Sequence, residues 1–397
     1  MKAVVWHGNQ DVRVEDVPDP NVQEPTDAII RVTSSGICGS DLHLYGVLGM
    51  FMEEGDVLGH EPMGIVEEVG AEVKDIQPGD RVVVPFNIVC GHCWMCEREL
   101  YAQCETTQVR EHEKGAALFG YTKLYGGVPG GQAEYLRVPQ AHFGPIKVPH
   151  GPSDERFVYL SDVLPTAWQA VVFAEIPKNG SVAVLGLGPI GQMSCRIAAH
   201  RGAARVIGVD LVPERLELAR RYGIETIGLD EVDDVVEHLR ELTDGRGPDA
   251  VIDAVGMEAH GAPVAELMQK ATARLPNRVG AALAERAGID RLSALSTAIQ
   301  SVRRGGTLSI IGVYGGRLDP LPMMELFDKG VQIRMGQAHV KRWIPDLLPL
   351  VSGDDDPLGT EDLATHVVPL AEAPHAYEIF QKKEDGAIKV LLTPQAA

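Results

Sequence analysis

Up to Leu160, short Val- and Ile-rich runs alternate with Gly, Pro and Asp. Examples are Ala28-Ile-Ile-Arg-Val-Thr33, Met63-Gly-Ile-Val-Glu-Glu-Val69 and Asp80-Arg-Val-Val-Val84. β-Branched residues bounded by turn formers predict short strands, here of a β-rich, barrel-like domain. After Pro165 the pattern changes. Ser181–Leu185 is an apolar strand, and Ile190–Arg201 is a helix. Ala204–Val209 is a second strand, Glu214–Tyr222 a second helix, and 249–255 and 307–313 read as further buried strands. Strands and helices alternating at this spacing predict a parallel sheet covered by helices on both faces. Residues 258–303 carry Leu267, Met268 and Ala271 at helical spacing. One crossover needs only about a dozen residues, so this segment is expected to add surface helices that assist oligomer packing. The tail predicts a helix over 372–382 and a strand over 387–392, both rejoining the first domain.

Composition narrows the classes of function. The 397 residues suffice for two cores. Net charge is −20, from 36 basic and 56 acidic residues, which argues against a nucleic-acid surface. The opening Met1-Lys-Ala-Val-Val-Trp-His reads as a strand, its apolar run shorter than the roughly 7–15 residues of an export signal. The weakly polar stretch 182–199 is broken by glycines, Pro189, Gln192 and Arg196, and makes a poor membrane span. Clustered cysteines without an export signal suggest metal binding in a reducing compartment, so the expected location is the cytoplasm.

Four of the six cysteines fall in one run, Cys90-Gly-His-Cys93-Trp-Met-Cys96 and then Cys104. Thiolates so closely spaced can close around one tetrahedral zinc; a pair of disulfides or unrelated core thiols is the alternative. Such a closed site performs no chemistry.

Gly186-Leu-Gly188-Pro189-Ile190-Gly191 follows a predicted strand and opens a helix. Gly186 permits a tight turn, Gly188 admits a pyrophosphate to the backbone, and Gly191 lets helix and strand close up. The next strand ends at Asp210, 19 residues beyond Gly191. A carboxylate there accepts from the adenosine ribose hydroxyls and repels a 2′-phosphate, which selects NAD. Arg215 could instead pair with that phosphate and keeps NADP open. A glycine turn that holds no nucleotide is the plain alternative.

Cys38-Gly-Ser40-Asp41-Leu-His43 and Gly59-His60-Glu61 place further soft and borderline ligands in glycine-bounded loops. Cysteine and histidine with an oxygen ligand from elsewhere suit a zinc with an open position. Taken in order, Cys38–His43, Gly59-His-Glu-Pro-Met-Gly64, Gly79-Asp-Arg-Val82, the four-cysteine loop and the glycine turn resemble the zinc-containing medium-chain alcohol dehydrogenases over essentially the whole chain.

That resemblance implies an α/β chain with a GroES-like β-rich catalytic domain over 1–163. A Rossmann doubly wound coenzyme domain over 164–340, with a helical insertion at about 257–304, would precede a return to the catalytic domain over 341–397. It implies two zinc ions per chain, one structural on Cys90, Cys93, Cys96 and Cys104 and one catalytic on Cys38 and His60. The third catalytic ligand is commonly a cysteine; Asp162 stands there in this sequence, as in the branch of glutathione-independent formaldehyde dehydrogenases and aldehyde-dismutating relatives. Glu61 resembles the glutamate behind the zinc that can bind it transiently, the competing arrangement being Glu61 on the zinc with Asp162 behind it or at the helix start. Asp41 would orient His60. Ser40 and His43 resemble the proton relay, Phe86 a pocket aromatic, and Thr166 a coenzyme contact. Leu44, Tyr45 and Trp94 are pocket candidates that also read as packing.

The expected function is hydride transfer between NAD and a small alcohol or aldehyde in a homo-oligomer, dimer or tetramer. Dehydrogenation of a polyol or amino alcohol is an alternative, as is dismutation with retained NAD. From a different class, a non-catalytic NAD-binding protein would carry structural zinc only. Free Cys195 reads as a small buried apolar group.

Overall fold

The computed structural model describes residues 1–256, 293–314 and 321–394. They form two compact units, Met1–Pro165 with Ala338–Ala397, and Thr166–Gln337. The expected insertion lies outside the described residues except for its last helix, Ser293–Ser301.

The first unit opens with an antiparallel pair, β1 (Lys2–Gly8) and β2 (Asp11–Asp16), and is built on β3 (Ala28–Ile37), which is antiparallel to β4 (Glu61–Val69) along its length. Beyond β4 come β5 (Arg81–Val83) and β7 (Ile146–Lys147), and β6 (Tyr135–Val138) pairs with the start of β3. The other edge of β3 takes a strand from the far end of the chain. There β15 (Val390–Thr393) pairs antiparallel with Ile37, Gly36 and Ser35, and β14 (His366–Pro369) pairs with β15. Alternation sorts the strand faces: Ala28, Ile30 and Val32 enter a core with Val66, Val82, Phe119 and Leu136. Ile37, Val390 and Leu392 enter another, with Leu44 of α1 (Gly39–Tyr45) and with Tyr377 and Phe380 of the helix Ala373–Lys382. Burial of that helix's apolar face, rather than propensity, holds it.

In the second unit six parallel strands take the order β10-β9-β8-β11-β12-β13. They are β8 (Ser181–Leu185), β9 (Arg205–Asp210), β10 (Glu225–Gly228), β11 (Ala250–Asp253), β12 (Thr307–Ile310) and β13 (Gln332–Met335). This is the doubly wound order, whose crevice lies beyond the carboxyl ends of β8 and β11, where the strand order reverses. The helix Pro189–His200 follows β8 directly. No single helix among the described residues is long and apolar enough to cross a membrane.

Candidate active site

The four cysteines converge. Cys90 and Cys96 sulfurs lie 4.0 Å apart, and Cys93 and Cys104 sulfurs 3.9 Å. Disulfides require about 2.05 Å, whereas four sulfurs about 2.3 Å from one zinc stand about 3.8 Å from each other. The spacing fits the metal. The loop favours one anion outright: the backbone N–H groups of Cys96 and Glu105 overcome burial and bring the Cys93 thiol down to about 6, while burial holds Cys90 and Cys96 above the ordinary thiol value. Thr106 Oγ1 donates to Cys90 Sγ at 3.1 Å. Gly91, at φ +78°, lies against the Phe143 ring, where a Cβ would stand 2.5 Å from it. Trp94, 53% exposed, lies on this loop beneath the Arg98 guanidinium, and Leu44 and Tyr45 are core residues.

A second cluster gathers Cys38, His60, Glu61 and Asp162, with one ligand atom from each within 4.8 Å of the others. Cys38 follows β3 and caps α1. His60 follows Gly59, whose φ of +101° turns the chain into β4. Asp162 sits where a short 3₁₀ turn, Val158–Ser161, meets the helix Val163–Ala174, and Phe86 N–H holds that turn by donating to Ser161 O at 3.1 Å. Asp162 Oδ2 is 3.7 Å from Cys38 Sγ and 3.6 Å from His60 Nε2. Ligand bonds of about 2.0–2.3 Å predict separations near 3.4–3.6 Å around one tetrahedral ion.

The electrostatics call for a cation there. Burial, with the Glu61 charge, pushes the Cys38 thiol up to about 11. Burial also raises Glu61, although Lys389 pulls it down. His60 is held well above its ordinary value: burial opposes its charge, but Asp41 and Asp162 prevail. One oxygen of Glu61 is buried without a partner. A divalent ion would satisfy these groups together.

The sequence-selected neighbours lie close by. His60 Nδ1 faces Asp41 Oδ1 at 3.2 Å, an ion-pair distance, although neither atom has a well-aligned hydrogen bond. Ser40 Oγ is 3.0 Å from His60 Nε2. His43 lies one turn beyond Ser40 on α1, half-buried and outside the cluster. Phe86 meets His60 edge-on at 6.4 Å.

Further participants escaped sequence reasoning. Tyr121 flanks His60 edge-on at 6.3 Å. Lys389 is fully buried and pairs with Glu61. Gln132 donates to Asp41 Oδ2 at 3.3 Å. For Lys389 a signal was present, since a lone lysine interrupts the apolar run Ala387-Ile-Lys-Val-Leu-Leu392.

In the second unit the glycine turn has the form its spacing predicted. Gly186 has φ +84°, and a Cβ on Gly191 would stand 1.7 Å from Gly186 O. A Cβ on Gly188 would meet only Arg215 Nη1, at 4.0 Å, so the backbone there is open to a ligand. Gly188 caps the helix without a side-chain bond, and Pro189 and Ile190, both half-buried, form its first turn. Its first N–H groups therefore present an anion site. Asp210 accepts from Leu187 N at 2.6 Å, Leu211 N at 2.7 Å and Val212 N at 2.9 Å. Arg215 is buried beside it, Nη1 to Oδ2 3.7 Å. Thr166 is the first residue of this unit.

Comparison with known proteins agrees with both units. Residues 24–149 match the family described as alcohol dehydrogenase GroES-like domain, and 189–273 match zinc-binding dehydrogenase. An uncharacterized zinc-type alcohol dehydrogenase-like protein, AdhB, of Bacillus subtilis is 43% identical over 99% of this chain and 100% of its own. The chain belongs to the zinc-type medium-chain alcohol dehydrogenase family. Formaldehyde dismutase of Pseudomonas putida is 33% identical over 96% of this chain and 95% of its own. Among solved structures, alcohol dehydrogenase TADH from Thermus sp. ATN1 superimposes with a TM-score of 0.81 at 37% identity, covering 99% of each chain. The protein is thus a zinc-binding, NAD(H)-linked oxidoreductase with a GroES-like domain and a Rossmann-type sheet.

Proposed function

We propose that this dehydrogenase transfers hydride between NAD and a small alcohol, aldehyde hydrate or aldehyde, in the manner of the formaldehyde dehydrogenases. The observation that carries this reading is Asp162, whose carboxylate stands 3.7 Å from Cys38 Sγ and 3.6 Å from His60 Nε2 and completes a cysteine–histidine–carboxylate set. Bound by these three side chains, zinc would act as a Lewis acid on the substrate oxygen. NAD, held by 186–191 at the helix N-terminus with Asp210 at its ribose, would supply the hydride acceptor.

The remaining work falls to the chain's own residues. Cys38 and Asp162 bring two negative charges, enough to neutralise a divalent ion, and a carboxylate in place of a thiolate donates less electron density to it. Ser40 Oγ beside His60 is placed to take the substrate hydroxyl proton, and His43 is its onward acceptor. Asp41 fixes the His60 ring. Phe86 and Tyr121 border that ring with apolar edges.

Dismutation with a retained coenzyme is the second reading, favoured by the likeness to the Pseudomonas putida dismutase. A screen of short alcohols and aldehydes with NAD or NADP separates the readings. A dehydrogenase accumulates or consumes reduced nicotinamide, while a dismutase converts aldehyde to alcohol and acid with no net change in it. Turnover confined to polyols or amino alcohols would reject the formaldehyde-like assignment, and one zinc per chain with no turnover would reject catalysis.

We also propose a homo-oligomer. The edge strand β13 is exposed along its length, Ile333 by 42% and Met335 by 63%, with no described strand beyond it. An open apolar edge is a template for pairing with a second copy, and sedimentation of the intact protein as a monomer would reject it.

A further inference from the structure

Behind the Cys38–His60–Asp162 centre a chain of buried hydrogen bonds runs away from the metal ligands into the C-terminal helix. It begins at Asp41, whose carboxylate touches two ligand residues. Asp41 Oδ2 accepts from Cys38 N–H at 2.9 Å while Oδ1 faces His60 Nδ1 at 3.2 Å. Oδ2 also accepts from Gln132 Nε2 at 3.3 Å. The same amide nitrogen donates to Gly36 O at 3.1 Å. The Gln132 carbonyl oxygen accepts from Tyr377 Oη at 2.7 Å.

Each member is 0% exposed, so no water competes for these bonds. Only one amide orientation serves them. Asp41 and Gly36 O are acceptors, so Gln132 must turn its NH₂ toward them, and that leaves its oxygen for the phenol. Burial pushes the Tyr377 phenol well above its ordinary value, with the Asp41 charge adding to the effect, which keeps the hydroxyl a donor.

The backbone reinforces the arrangement. Gln132 N–H donates to Leu58 O at 2.9 Å, and Gly131 N–H donates to Gly59 O at 2.8 Å. Gly59 has φ +101°, and a Cβ there would stand 2.4 Å from Gln132 Cγ. The residue before His60 is a glycine because Gln132 closes directly upon it.

We propose that Gln132 and Tyr377 are positioning residues for the catalytic metal, acting through Asp41 on Cys38 and His60. This rests on the metal centre read above. With Gln132 fixed by Tyr377, Asp41 is held with Oδ1 presented to the His60 ring and Oδ2 on the Cys38 backbone. Without Tyr377 the amide oxygen loses its one hydrogen-bond donor among the described residues and can rotate. Without Gln132, Asp41 loses a donor, and both ligand residues lose part of their anchor. Partners behind a ligand commonly govern metal affinity about 10–100-fold. Because the Tyr377 hydroxyl is linked to Asp41 through the Gln132 amide, the effects of removing that hydroxyl and that amide must be coupled rather than independent.

The test follows zinc release from the holoenzyme into a chromophoric chelator, together with visible spectra of the cobalt-substituted protein. Gln132→Met should release one of the two metals about tenfold faster or more. Tyr377→Phe keeps the ring in the core and should speed release of the same metal by a smaller factor. The double variant should be no faster than Gln132→Met alone. Both single variants should shift the cobalt bands of that site while the four-cysteine metal stays in place, which also reports that the chain is folded. Unchanged release in both variants, multiplying effects in the double variant, or equal loss from both sites would overturn the positioning role. Asp162→Ala serves as the control. If that variant keeps both metals, the reading of the metal centre itself falls, and the positioning role with it.

Discussion

Lys389 donates a hydrogen bond to Glu61 across 328 residues of sequence, and both side chains are completely buried. Lys389 Nζ also donates to Ile37 O at 3.1 Å. Gly36 makes room for the pair, since a Cβ there would stand 2.1 Å from a Glu61 oxygen. Breaking a buried ion pair leaves an uncompensated charge, which commonly costs about 3–5 kcal/mol. Lys389→Met should therefore lower the thermal midpoint sharply. Adding Glu61→Gln should restore much of the loss, because the remaining charge is removed as well. Equal midpoints for the wild-type and Lys389→Met proteins would contradict this account.

The two metal sites should be separable. Asp162→Ala is expected to abolish turnover and leave one zinc per chain, the ion of the four-cysteine loop. Cys93→Ser should lose the other ion and lower stability, because a structural zinc couples binding to folding. Metal analysis of the purified variants checks both. Full zinc content in either variant would misassign that ligand.

Coenzyme choice should turn on Asp210. Its carboxylate stands at the end of β9 and is braced by three backbone N–H groups. A hundredfold preference for NAD would amount to about 2.7 kcal/mol. Asp210→Ser should narrow that preference and also loosen the glycine turn, so affinity for both coenzymes should fall. The check is kcat/KM with each coenzyme. Equal efficiency with NADP in the unmodified enzyme would show that Arg215 governs the choice.

Acid should destabilise the first unit through His339. Burial, with Arg342 nearby, brings this imidazole down to about 4, and its Nδ1 accepts from Ala102 N–H at 3.1 Å. A folded-state value below the unfolded value of about 6.5 means that the unfolded chain binds the proton first. The stability contributed by neutral His339 is thus complete above about pH 6.5 and is lost as pH falls toward 4. The loss is on the order of 2–3 kcal/mol. Thermal midpoints measured across that window should fall less steeply in His339→Gln than in wild type, and parallel curves would exclude the effect.

What the sequence disclosed depended on whether the chemistry was local. Cys90 to Cys104 lie within one loop, so their spacing alone announced a shared metal. The turn 186–191 was legible because strand, glycines and helix are contiguous. Cys38 and His60 stood out by their glycine-bounded motifs, but Asp162 was found only through resemblance, since nothing near it in sequence distinguishes that carboxylate. Gln132, Tyr377 and Lys389 were missed for a topological reason. Pairing of β15 with β3 brings Lys389 to the centre, packing of the C-terminal helix on α1 brings Tyr377, and backbone bonds between residues 130–132 and 57–59 bring Gln132. Tyr377 looks like an ordinary core residue because it is also one.

The division of the first unit into Met1–Pro165 and Ala338–Ala397 has a consequence for synthesis. A ribosome must make the 172 residues of Thr166–Gln337 before the strand that pairs with Ile37 exists. At about 5–20 residues per second, the 328 residues between them keep Glu61 waiting on the order of fifteen to sixty-five seconds for its lysine. Throughout that interval the edge of β3 is open and Glu61 lacks its cation. A chaperone that shields exposed strand edges, or early capture of zinc by the nascent chain, would act during this window, before the last strand arrives.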